Sequence, residues 1–245
     1  MIEVADRVYR LGAKLVSWYL IEDGERFTVI DAGLNKQFDQ LPSALATLGA
    51  SLGDVEAVVL THAHADHLGS SARIQEEAGA AVHVHESDAA MARGEAKRKT
   101  ERGPARDLVH PFAWKVAWWF ITNGGLEQPP PVTELSTFAH GEVLDLPGQP
   151  RVIHTPGHTS GSSSVHLAER SVVCSGDALA TVSLATGATG PRILPGSFNE
   201  DSARCLASLT ELEGLAADLL LPGHGEPWSG RMSDAVAEAQ RVGVS

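Results

Sequence analysis

Between positions 61 and 67 the chain reads Thr61-His62-Ala63-His64-Ala65-Asp66-His67, directly after the apolar run Val58-Val59-Leu60. A short run of this kind, extending back to Val55, predicts a strand covered on both faces. A single histidine at a strand end is usually a cap or a core residue. Three imidazoles and a carboxylate within six positions, spaced by small alanines that let the backbone turn tightly, instead point to ligation of a metal ion.

The same arrangement recurs three times. Val152-Ile153 leads to Thr155-Pro156-Gly157-His158, Val172-Val173-Cys174 to Ser175-Gly176-Asp177, and Leu219-Leu220-Leu221 to Pro222-Gly223-His224. Groups at one strand edge of an αβ sheet converge, and glycines let backbone approach a central ion closely. Five imidazoles and two carboxylates exceed one tetrahedral site. They match two divalent ions sharing a bridge, for which a carboxylate is the natural group.

The 245 residues suit one domain spanning 1–245, built from two intimately packed halves. A β-meander is expected over Arg7–Leu11, Val16–Ile21 and Phe27–Ile30, followed by helices at 37–49 and 67–78 and a strand at 81–84. Further strands are expected near 142–145, 151–155, 163–167, 171–174 and 218–221, with helices near 199–213 and 231–241. Helix, apolar strand, then histidine occurs at 37–62 and again at 199–224, which predicts two similar αβ halves facing one another.

Residues 93–131 read as a helical insertion between those halves. Its first part, 93–107, holds six bases and three acids, a local +3. Its second part is aromatic, with Phe112, Val116, Trp119 and Phe120 at helical i, i+4, i+7, i+8 spacing. That stripe predicts packing onto the body of the protein or a lid over the metal crevice, with Phe112, Trp118 and Trp119 as lid candidates; a homodimer contact is the other use.

Charge and cysteine content narrow the classes further. The net charge of −12 argues against nucleic acid and anionic membranes. The basic segment leaves room for a small, anionic substrate molecule. Cys174 and Cys205 form no disulfide framework or thiolate metal site, and Cys174 reads as core. The N-terminus does not read as a secretory signal and no run approaches the roughly 18 apolar residues of a membrane span, so a cytoplasmic location is expected. His83 and His85 share one face of a strand and read as structural, as do His110, His140, His154 and His166. Thr159–Ser164 reads as a turn into the next strand, with hydroxyl hydrogen bonds to a ligand or its supporting residues as the other use.

The order His62-x-His64-x-Asp66-His67, then His158, Asp177 and His224, with Val29-Ile30-Asp31-Ala32-Gly33 upstream, resembles the metallo-β-lactamase-fold hydrolase superfamily. The resemblance implies an α/β fold, an αββα sandwich. It implies that His62, His64 and His158 hold one metal, that Asp66, His67 and His224 hold a second, and that Asp177 bridges them. Asp31 would orient a ligand without binding metal. The implied cofactors are two divalent ions, zinc first and iron or manganese as alternatives. The expected chemistry is attack of a metal-bridging hydroxide on a small acyl substrate, a thioester or lactone, with Asp66 orienting the nucleophile or carrying a proton. The alternatives are β-lactamase-like amide hydrolysis and redox chemistry of an iron protein on the same fold.

Overall fold

A computed structural model describes residues 1–244. Seven strands form the first sheet in sequence order: β1 (Ile2–Ala5), β2 (Val8–Ala13), β3 (Val16–Asp23), β4 (Arg26–Ile30), β5 (Val55–Val59), β6 (Ala81–His85) and β7 (Ser136–Phe138). The meander β1–β4 is antiparallel, whereas β4, β5, β6 and β7 run parallel. The remaining strands are β8 (Arg151–His154), β9 (Ser163–Leu167), β10 (Val172–Gly176), β11 (Ala180–Val182), β12 (Thr189–Arg192), β13 (Leu219–Pro222) and β14 (Trp228–Ser229). Five of them form the second sheet in the order β14-β13-β10-β9-β8, and β11 pairs with β12 in a separate hairpin.

Period-two alternation assigns each strand residue to a layer. In β3, Tyr19 and Ile21 point into the core between the sheets, where they meet Val165, Val172, Cys174 and Leu221 of the second sheet. Trp18 and Leu20 point the other way, against α1 (Gln40–Thr47) and α3 (Ser71–Ala78), through Leu41, Leu45 and Ile74. The second sheet repeats the scheme. Val152, Val172 and Leu221 face inward, while Ile153, Val173 and Leu220 face α6 (Ser202–Ser208), α7 (Thr210–Glu213) and α8 (Met232–Val242) through Leu209, Leu212 and Val236. Helix, sheet, sheet, helix is the order that covers both faces of both sheets. Each buried Val or Leu contributes roughly 1.5–3 kcal/mol to keeping it so.

Strand direction places the chemistry. Because β9 is antiparallel to both β8 and β10, and β13 is parallel to β10, the C-terminal ends of β8, β10 and β13 share one edge. The same end of the first sheet carries the exits of β4 and β5. Hydrogen bonds from Ser163 N to Thr61 O (2.8 Å), Ser17 N to Gly223 O (2.8 Å) and Tyr19 Oη to Pro222 O (2.7 Å) stitch the two sheets together along this edge.

Several elements differ from the sequence expectation. The helix expected at 67–78 is two helices, α2 (Ala65–Leu68) and α3, because the chain turns at Gly69-Ser70 to bond the loop after β4: Ala32 N donates to His67 O and Ser70 Oγ to Leu34 O. No strand occupies 142–145. Val143 makes one isolated bridge to Arg151, and Pro147 and Pro150 remove the donors a ladder would need. The helix expected over 199–213 is likewise split into α6 and α7. The short strands β1, β7, β11, β12 and β14 were not foreseen.

The segment 93–131 follows α4 (Ala89–Ala92) and is helical only over a 3-10 turn at Pro104–Val109 and over α5 (Pro111–Thr122). Its basic first part, up to Gly103, is made of turns and irregular backbone rather than helix. Helix α5 packs through Val116, Phe112 and Phe120 on Ala180, Val182, Leu184 and Leu194 of the β11–β12 region. Trp114 and Trp118 lie on the opposite face, 60% and 68% exposed. No helix among the described residues is long and apolar enough to cross a membrane.

Gly69 makes a tight contact in this frame, because a Cβ there would lie 2.4 Å from Gly33 O and 2.5 Å from Asn35 N. Backbone on both sides cannot give way as a side chain would. Gly69→Ala is therefore expected to destabilise the fold by about 1–3 kcal/mol, read as a lowered urea midpoint; an unchanged midpoint would show the contact to be loose.

Candidate metal centre

All seven sequence-selected ligands meet at the shared strand edge. Donor atoms of His62, His64 and His158 lie within 4.8 Å of one another, as do those of His62, His67 and Asp177, and those of Asp66, His67 and His224. Asp177 sits between the groups, its Oδ2 3.3 Å from His158 Nε2 and 3.0 Å from His224 Nε2, its Oδ1 3.3 Å from His67 Nε2. Asp66 Oδ2 is 3.4 Å from His224 Nε2. Every one of these residues except Asp66 is buried.

The residues fit a pair of cations. His62 Nε2, His67 Nε2 and Asp177 Oδ1 are buried, face the centre and make no hydrogen bond; His64 Nε2 is also buried without one. Leaving such groups unpaired costs about 1–3 kcal/mol each, and a metal ion removes that cost. There is also a cradle for it: a Cβ on Gly223 would lie 2.4 Å from Asp177 Oδ1 and 2.5 Å from His67 Cε1.

Electrostatics divide the centre in two. Burial, reinforced by neighbouring imidazoles, drives the proton affinities of His62 and His64 well down, and burial lowers the pKa of His158 to about 4. These three are held neutral, which is the form that ligates. Burial also opposes charge on His67 and His224, but the carboxylates beside them, Asp177 foremost, outweigh it and raise both. Asp177 itself is held well below the ordinary carboxylate range, because His224, His67 and His158 together overcome its burial. The half containing Asp66, His67 and His224 is thus a place where positive charge is strongly favoured.

Outer partners fix the ring orientations. Asp31 Oδ2 accepts from His67 Nδ1 (2.8 Å), and Thr61 Oγ1 donates to Asp31 (2.8 Å) while accepting from His62 Nδ1 (3.1 Å). Asp31 holds this hub from a left-handed backbone conformation, φ 60°, which a non-glycine residue keeps only when its surroundings over-determine it. Asn199 Oδ1 accepts from His158 Nδ1 (3.0 Å), and the carbonyl of Leu15 accepts from His224 Nδ1. Each bond places the proton on Nδ1 and turns the Nε2 lone pair inward.

Asp88 is a further organiser that the sequence did not reveal. It is buried, and it accepts from Ala63 N (3.0 Å), Thr159 Oγ1 (2.7 Å) and Gly161 N (2.8 Å), tying the His62–His67 loop to the loop that carries His158. Burial raises its pKa, and those three donors counter the rise. Asn199 and Thr61 were missed as well. The run of hydroxyl residues at 159–164 was the available signal, since Thr159, Ser162, Ser163 and Ser164 are all buried. The other histidines stand apart: His85 stacks on His154 at 4.1 Å, and His154 Nε2 bonds Ser160 O.

A cavity of about 910 Å³ opens onto the centre. Helix α5 forms part of its wall, but through Ala113, Val116, Ala117 and Phe120, not through the expected lid residues. Phe112 packs against Gly187, Trp118 faces outward, and Trp119 meets Phe120 edge to face. The helix is rotated so that its small residues face the void, and Phe120, its ring centroid 6.5 Å from that of His224, is the aromatic that reaches the site.

Asp88→Asn replaces one acceptor oxygen with an amide group that cannot receive a backbone N–H. Metal affinity is expected to fall by about 10- to 100-fold in competition with a chromophoric chelator; undiminished affinity would remove Asp88 from the centre's support.

Comparison with known proteins agrees with this geometry. The family model of the metallo-beta-lactamase superfamily matches residues 11–224. A probable metallo-hydrolase of Bacillus subtilis, YflN, is 27% identical, covering 98% of this chain and 92% of its own. The acyl-coenzyme A thioesterase MBLAC2 of Gallus gallus is 30% identical, covering 90% and 76%. Among solved structures, the metallo-beta-lactamase family protein TTHA1429 of Thermus thermophilus superposes with a TM-score of 0.64 at 27% identity, over 96% of this chain and 80% of that one. With its αββα sandwich and its histidine and aspartate cluster at one strand edge, the chain belongs to the metallo-beta-lactamase superfamily and is a metal-dependent hydrolase.

Proposed function

We propose that the chain is a binuclear zinc enzyme that hydrolyses thioesters. The observation that carries this reading is the convergence of seven candidate ligands, five of which line a largely apolar cavity. His62, His64 and His158 would hold one ion, Asp66, His67 and His224 the other, with Asp177 between them. Imidazole and carboxylate donors without thiolate suit zinc. Two such ions supply Lewis acidity and a water acidified towards neutral pH.

The chain's own residues favour a thiol as leaving group. Among the described residues no serine, threonine, tyrosine or cysteine lines the cavity, and no histidine other than ligands does. A covalent route through a hydroxyl or thiol therefore has no nucleophile, and Asp66 and the bordering Lys97 are the groups left to protonate an amine as it leaves. A thiolate departs without a proton. Asp66 is the least buried of the ligands and faces the cavity, so its carboxylate is placed to take the proton released as water adds to the acyl carbon. That proton and the departing thiolate complete the balance: water adds, the C–S bond breaks, and an acid and a thiol leave. The apolar wall, with Met91, Val116, Phe120, Leu184 and Phe198, suits the acyl chain. The 30% identity to an acyl-coenzyme A thioesterase supports the same bond class.

A panel of thioesters, lactones, β-lactams and phosphodiesters, offered to zinc-loaded protein, tests the reading. Thioesters are expected to be cleaved with the highest kcat/KM, and rapid cleavage of another class alone would overturn it. Metal analysis should find about two ions per chain. Asp177→Ala should lower that number and reduce kcat by more than about 100-fold, the upper end of what outer partners cost.

A further inference from the structure

The segment 95–103 is an irregular strap that borders the cavity through Ala96, Lys97 and Arg98. Glu101 N donates to Asn199 O (2.7 Å), and Glu101 Oε2 accepts from Ser202 N (3.1 Å). Arg102 grips Asp107 with two bonds of 2.9 and 3.0 Å, and Ser197 Oγ donates to the same carboxylate. The strap is thus fastened to the loop 197–202. Two of its cations, Lys97 and Arg98, line the cavity that contains His64, His158 and Asp177.

Neither cation is neutralised by a carboxylate among the described residues. Arg98 spends one N–H on Ser197 O (3.2 Å), and its guanidinium lies 5.3 Å from the centroid of the Phe198 ring. That anchorage fixes its position while leaving most of its five donors free. Asp107 is engaged by Arg102 and Ser197, Glu101 by Ser202 N, and Asp66 and Asp177 belong to the metal centre. Arg98 shares one cavity with His64 and His158 at the floor. In a chain of net charge −12, two unpaired cations facing one cavity are a local exception.

We propose that Arg98, assisted by Lys97, binds an oxyanion carried by the thiol portion of the substrate, so that the thioesters this enzyme prefers are those of anionic thiols. The inference rests on the thioester reading above. The division of the cavity gives the orientation: apolar walls inside receive the acyl chain, and the exposed mouth with its cations receives the polar thiol. A guanidinium fork suits a carboxylate or a phosphate equally, so both sources share one chemistry.

Two matched pairs test it with zinc-loaded protein. Hexanoyl thioesters of 3-mercaptopropionate and of its neutral amide place a carboxylate near the sulfur. Hexanoyl 4′-phosphopantetheine and hexanoyl pantetheine place a phosphate far from it. Wild type is expected to prefer the anionic member of at least one pair, and Arg98→Ala to cut that kcat/KM ratio roughly tenfold, with a smaller cut for Lys97→Ala. The pair that responds identifies the anion. A ratio near one in both pairs, or one that Arg98→Ala leaves unaltered, overturns the inference. Hydrolysis of none of the four sinks the thioester reading instead. Titration calorimetry with the corresponding hexyl thioethers then still decides the anion site: equal affinity for charged and neutral members would refute it.

Discussion

A buried carboxylate surrounded by imidazoles is the constraint around which this molecule is built. Asp177 lies within 3.3 Å of His158, His224 and His67, each arriving from a different strand end. An isolated charge at this depth would be prohibitively costly, so it exists only while both sheets hold their edges in register. The hydrogen bonds between Ser163 and Thr61 and between Ser17 and Gly223 maintain that register. The sandwich and the centre are therefore mutually dependent, since the edge positions the ligands and the ligands make a hydrated edge unnecessary.

The layers of support around Asp177 also explain what turns its ligands inward. His67, His158 and His224 are each held at Nδ1 by an acceptor that cannot move far: Asp31 on its constrained turn, Asn199 pinned by Leu194 O, and a main-chain carbonyl. Asp88 adds a brace between the two loops that supply five of the seven ligands. Pre-orientation of this kind lowers the cost of binding a cation, because the rings are fixed before it arrives.

What could be read from the sequence followed from local density and period. The cluster at 62–67 and the three apolar runs ending in Gly157-His158, Gly176-Asp177 and Gly223-His224 located the histidines and aspartates that the fold gathers, because strand ends carry their chemistry in adjacent letters. The alternation in β3 and β10 similarly exposed the layers. Asp88 and Asn199 escaped because their partners lie 25 to 73 and 41 positions away, and nothing local distinguishes them from ordinary turn residues. The lid residues Phe112, Trp118 and Trp119 were misplaced for a different reason. Periodicity identifies which residues share a face of α5 but not what that face meets, and here its alanines and Phe120 meet the cavity.

The loop Ser197–Asn199 joins two tasks that the sequence keeps far apart. Ser197 O holds Arg98, Phe198 lines the cavity, and Asn199 holds both His158 and the backbone of Glu101. The metal centre is made of strand ends, whereas this side of the cavity is bordered by an irregular strap fastened at a few points. Selectivity can therefore vary in the strap without rebuilding the centre, provided the three-residue contact survives. Because Asn199 bonds both the strap and His158, any displacement of that loop reaches the Asn199–His158 bond, and the two parts of the site share one point of attachment.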